Sequence, residues 1–150
     1  MNFRSYAEIA SDIPLDDVEE DGEIVIFAGK AAAEAIAEAL RQAGYDVEAP
    51  EHMHEHGWDL NVYVEGKRIW LEVQGFEEPG GYILQTEAMT SFFRRLFGVD
   101  LGYYAEFLRK LNDGLRADPR FGSIKWYELR DHLPVGEPAD DPLRVMDYRG

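Results

Sequence analysis

Three histidines occupy alternate positions in His52-Met53-His54-Glu55-His56. In an extended segment that spacing puts three imidazoles on one side, and neutral imidazole is a good ligand for zinc, nickel or copper. Glu51, Glu55 or Asp59 can complete such a site. The segment lies between Pro50 and Gly57 and lacks the helical His-Glu-x-x-His arrangement, so a flexible polar loop with adventitious metal affinity is the simpler expectation. A second arrangement follows from alternation. Trp58, Leu60, Val62 and Val64 alternate with Asp59, Asn61, Tyr63 and Glu65, and Ile69, Leu71 and Val73 alternate with Trp70, Glu72 and Gln74. Glu65-Gly66 supplies a two-residue hairpin turn. If Val64 faces Lys67, then Val62 meets Ile69, Leu60 meets Leu71 and Trp58 meets Val73, which gathers the apolar side chains on one face. On the other face Asp59 falls across from Glu72, with Gln74 two residues further along. Two carboxylates at cross-strand distance repel unless a cation sits between them or water screens them. Solvation is the ordinary state of such a face. Tyr63 and Trp70 share it and form an amphipathic patch ringed by carboxylates, a composition suited to gripping a basic partner.

Other chemistries are missing. No glycine-rich phosphate loop, nucleophile elbow or Ser-His-carboxylate set is present, and Gly29-Lys30 lacks both the upstream glycine and the following Ser or Thr of a phosphate loop. The absence of cysteine excludes disulfides, a thiol nucleophile and Cys-ligated zinc or iron-sulfur sites. Nothing calls for a cofactor, a divalent metal at the histidines or carboxylates being the alternative. Across 150 residues, 30 Asp and Glu against 15 Lys and Arg leave a net charge of -15. Nucleic acids and anionic membranes draw on Lys and Arg for sequence-independent affinity, so this field disfavours both and favours a basic protein. With 45% hydrophobic and 13% aromatic residues the chain should fold rather than stay disordered. Its first residues have no apolar core of signal-peptide length, and no apolar run approaches the roughly 20 residues that span a bilayer. A cytoplasmic location is the expectation.

The elements that must position these residues follow from pattern. Residues 12–23 form an acidic loop, and Ile24 to Ala28, apolar and β-branched, read as a buried strand. Residues 30–43 are rich in Ala, Glu and Leu and stop at Gly44, which predicts a helix. Tyr45 to Ala49 reads as a short strand. The hairpin continues into a third antiparallel strand after Pro79-Gly80-Gly81, giving a central meander over 58–87. Thr90 to Gly98 reads as a short helix or turn, with Phe92, Phe93, Phe97, Tyr103 and Tyr104 clustered there as candidate core. A second helix spans about 103–117, with Tyr103, Tyr104, Phe107, Leu108, Leu111 and Leu115 on one face. Ser123 to Glu128 is a last strand, and residues 129–150 form an extended, proline-containing and partly mobile tail. The expected fold is a single α+β domain over 1–150, a two-layer structure with a mainly antiparallel sheet and both helices on one face.

An acid on one strand followed by acid-x-residue on the next, Asp59 and Glu72-x-Gln74, after a helix bearing Glu34 and Glu38, resembles the core of the restriction-endonuclease superfamily over roughly Ala31 to Gln74. In that family an acid and an acid-x-lysine hold magnesium and activate water. The resemblance implies Asp59 and Glu72 as metal ligands, Gln74 in place of the lysine, and Glu34 or Glu38 as assisting groups. This chain departs from the pattern at Gln74, and no proline precedes Asp59.

Two functions are therefore carried forward. The first is a non-enzymatic interaction module that binds a basic protein through Asp59, Tyr63, Trp70 and Glu72, comparable to immunity or antitoxin-like proteins in charge and size alone. The second is a divalent-metal-dependent hydrolase that uses Asp59 and Glu72 with Gln74 and Glu34.

Overall fold

The computed structural model of the chain describes residues 3–54, 56–76, 80–90, 98 and 100–144. Along the chain the elements are β1 (Tyr6–Ser11), β2 (Val18–Glu20), β3 (Glu23–Ile26), α1 (Lys30–Gln42), β4 (Asp46–Val47), β5 (Glu51–Met53), β6 (Gly57–Val64), β7 (Lys67–Phe76), β8 (Gly81–Met89), α2 (Gly102–Ala117), β9 (Phe121–Arg130) and β10 (Leu133–Ala139). Eight strands form one sheet in the order β10-β9-β1-β8-β7-β6-β4, with β5 also paired to β6, while β2 and β3 form a separate hairpin. Every pairing in the large sheet is antiparallel.

The β6–β7 register is the one that alternation demands. Val64 faces Lys67, Val62 faces Ile69, Leu60 faces Leu71, Asp59 faces Glu72 and Trp58 faces Val73. Glu65 and Gly66 both take positive φ in the turn, the pattern whose twist matches that of the flanking strands. Leu60, Val62, Ile69, Leu71 and Val73 are fully buried, and they share one core with Ala33, Ile36 and Leu40 of α1 and with Phe107, Leu108, Leu111 and Leu115 of α2. Full burial of each large side chain contributes roughly 1.5–3 kcal/mol. Both helices therefore cover one face of the sheet. The two-layer α+β architecture, the meander and both helix positions are as expected from pattern.

Other parts differ. Ile24 to Ala28 is not a buried strand: β3 is an exposed arm of the β2–β3 hairpin, with Ile24 50% exposed. The interior position is held instead by β1, whose Ala7 and Ile9 are fully buried between β8 and β9. Within residues 12–23 the acidic loop becomes strand at Val18, and Asp21-Gly22, both at positive φ, make the hairpin turn. The tail is more ordered than expected through Leu143. β9 continues to Arg130, Asp131 and His132 turn the chain, and β10 pairs back along β9 with a bridge from Leu143 to Phe3 beyond it. Pro134 and Pro138 are compatible with that strand because β10 lies at the sheet edge, where a missing N–H costs no ladder bond. Residues 91–97, which hold most of the expected Thr90–Gly98 turn and Phe92, Phe93 and Phe97, lie outside the described residues, as do Glu55 and residues 145–150. No helix among the described residues is long and apolar enough to cross a membrane.

Candidate functional site

The face of the sheet away from the helices carries the predicted carboxylate pair. Asp59 and Glu72 stand opposite one another on β6 and β7, and the same row continues through Gln85 on β8, Tyr6 on β1 and Tyr127 on β9. On the other side it reaches Glu51 on β5. Tyr63 and Trp70 lie on this face too, Tyr63 across from Arg68 and Trp70 across from Asn61. The Tyr63 hydroxyl donates a hydrogen bond to Glu48.

The β5–β6 turn brings His56 to the pair. Its Nε2 is 3.0 Å from Asp59 Oδ1, and both side chains are largely covered, at 30% and 14% exposure. Donor atoms of His56, Asp59 and Glu72 all lie within 4.8 Å of one another. Gln74 donates its amide N–H to Glu72 Oε1. A Cβ on Gly57 would sit 2.5 Å from the Val73 carbonyl oxygen, so only glycine lets the turn lie this close to β7. Beside the cluster is a cavity of about 270 Å³ lined by Phe27, Ala28, His56, Gln74 and Gly75. Partial burial raises the Glu72 pKa; the charge of His56 and the hydrogen bond from Gln74 oppose that shift, and the negative charge of Asp59 adds to it. Two residues from Asp59 on the same face, the Asn61 amide oxygen is buried and accepts no hydrogen bond among the described residues.

The three histidines do not converge. His52 sits across from Trp58, on the core side of the edge strand, and its Nε2 accepts the Phe27 N–H at 3.0 Å. Trp58 Nε1 in turn donates to the Phe27 carbonyl at 2.8 Å, so the two rings hold the loop before α1 from both its polar groups. That bond occupies the lone pair with which His52 Nε2 would bind a metal. His54 is exposed and meets the His52 ring edge-on, 4.9 Å between centroids. Only His56 joins the carboxylates. Glu34 and Glu38 project into solvent from α1, which covers the opposite face, and neither approaches Asp59 or Glu72.

Asp16 has a role that composition conceals. Residues 12–23 read as a solvated acidic run, yet the Asp16 carboxylate accepts the N–H groups of Gly29 at 2.8 Å and Ala31 at 2.9 Å, capping α1 from a distant segment. The available signal was negative: Gly29 stands at the N-cap of α1, and no side-chain cap is formed there. The Tyr82 hydroxyl, its pKa pushed up to about 12 by burial and by the charge of Asp16, donates to the Ile13 and Pro14 carbonyls and holds the same segment. Comparison of the chain with protein-family models, curated proteins and solved structures finds no match.

Proposed function

We propose that this protein is an interaction module that receives a basic protein on the sheet face bearing Asp59, Tyr63, Trp70 and Glu72. The observation that carries this reading is the row Glu51, Asp59, Glu72, Gln85, Tyr6 and Tyr127. It runs across six strands on the face away from both helices, and each of its side chains is at least partly exposed. Carboxylates there complement a cationic surface, while Trp70 and Tyr63 offer broad, partly desolvated rings of the kind that anchor interfaces. The net charge of -15 adds long-range attraction for such a partner. Immunity and antitoxin-like proteins share this combination of acidity and size.

The hydrolase reading is less well supported. Gln74 brings neither a positive charge nor a basic nitrogen to the position where the resembled motif has lysine, its amide is bonded to Glu72, and Glu34 lies on the other side of the sheet. The interface reading is tested by immobilising the full chain and its W70A/E72Q variant and passing over each the lysate of the cell that produces the protein. The wild type should retain a basic protein that elutes as NaCl rises from about 0.1 M to about 0.5 M, and the variant should retain much less of it. Equal retention by the two, or retention indifferent to salt, overturns the proposal.

A further inference from the structure

His56, Asp59 and Glu72 are three metal-competent side chains of two chemical kinds, brought together from a turn and two strands. The 3.0 Å between His56 Nε2 and Asp59 Oδ1 suits a coordination edge as well as a hydrogen bond: two donors about 2.1 Å from one ion lie about 3.0 Å apart at right angles and about 3.4 Å apart at the tetrahedral angle of zinc, a small widening. Donors that all lie within 4.8 Å of one another fit around a single ion with small rotamer adjustments. Several observations beyond the carboxylates point the same way. The β5–β6 turn, closed onto β7 by Gly57, presents an imidazole to a cross-strand carboxylate pair. Gln74 orients Glu72, as a supporting residue orients a metal-ligating carboxylate. The adjoining cavity of about 270 Å³ has room for waters to complete a coordination shell.

We infer that His56, Asp59 and Glu72 form a three-ligand site for a divalent first-row transition ion, zinc or manganese. One imidazole among three donors favours zinc over magnesium or calcium, which take oxygen ligands, with manganese the weaker of the two transition ions. Three protein ligands leave at least one position for water, and Gln74 holds Glu72 in place through the amide it donates. The exposed His54 and the loop-bound His52 take no part. The inference does not rest on partner binding, since it concerns the isolated chain. A bound ion would, however, neutralise two of the carboxylates that a basic partner would meet.

The test is isothermal titration of tag-free, chelator-treated full-length protein with ZnCl₂, MnCl₂ and MgCl₂, repeated on H56Q, E72Q and the H52Q/H54Q double variant, with circular dichroism to verify folding. Saturable 1:1 binding of zinc or manganese is expected, weakened by roughly tenfold or more in H56Q and in E72Q and kept within about twofold of wild type in H52Q/H54Q. Magnesium should bind far more weakly. As a second readout, saturating zinc should raise the melting temperature of wild type and not that of folded H56Q, because an ion that binds only the native state stabilises it. Absence of saturable binding in wild type overturns the site. So does affinity that survives in H56Q or E72Q, or that is lost only in H52Q/H54Q, which would locate binding in the exposed histidine loop.

Discussion

Burial and the neighbouring Asp59 both disfavour the ionised form of Glu72, and His56 and the Gln74 amide offset part of that effect. Its folded-state pKa lies above the unfolded value, with burial the leading cause. The stability linked to its proton is therefore complete below the unfolded pKa and is lost as pH rises through the folded one. Glu72→Gln resembles the protonated form at every pH and still offers Gln74 an oxygen. In chelator-treated buffer the variant should melt above wild type near neutral pH, and the two should converge below about pH 4. The gain stays under about 1 kcal/mol because Glu72 is only half covered and solvent screens its charge. Melting curves that run parallel across that range would contradict the assignment. Asp16 supplies a contrast, since its carboxylate acts as a helix cap rather than as part of a charged surface. Asp16→Ala should cost about 1 kcal/mol in urea denaturation, with Asp16→Asn retaining part of it. A neutral result for Asp16→Ala would mean that α1 finds another cap.

At the scale of elements, two turns use glycine for different reasons. Gly66 needs positive φ alone, as a Cβ there would meet nothing within 4 Å, whereas Gly57 needs both its φ of 137° and the space that Val73 leaves it. Gly66→Ala should cost about 1 kcal/mol through backbone strain. Gly57→Ala should cost substantially more, since its Cβ would force β6 and β7 apart, and thermal melting of the two variants gives the comparison. The meander that these turns join was legible in the sequence because period-two alternation over long strands admits one register that segregates its apolar residues. Asp59 opposite Glu72 was legible for the same reason. His56 was visible only as one of three equivalent histidines, because spacing cannot tell which rings a turn points toward the sheet. β1 escaped notice since Tyr6-Ala7-Glu8-Ile9-Ala10-Ser11 carries a single large aliphatic residue, and its burial comes from neighbours distant in sequence. The β-branched run at Ile24 misled in the opposite direction. Such residues suit any pleated surface, including a hairpin standing in water.

For the whole molecule, 30 acidic against 15 basic side chains make self-repulsion a general cost of compaction. Raising NaCl from about 0.02 M to about 0.5 M should increase the melting temperature, since screening relieves that repulsion more than it weakens exposed pairs such as Glu106–Lys110. A fall in melting temperature would show instead that specific ion pairs outweigh the net field. The place of β1 in the sheet has a different consequence, for the order in which the protein is made. Tyr6–Ser11 leaves the ribosome ahead of both strands it pairs with: it has no partner until Gly81–Met89 emerges and is flanked on both sides only once Phe121–Arg130 follows. A strand made before both of its partners is thus among the last to be locked. A nascent chain must carry Tyr6–Ser11 unpaired until β8 has been made, and pairing between chain-distant strands slows folding in a way that the local hairpins do not.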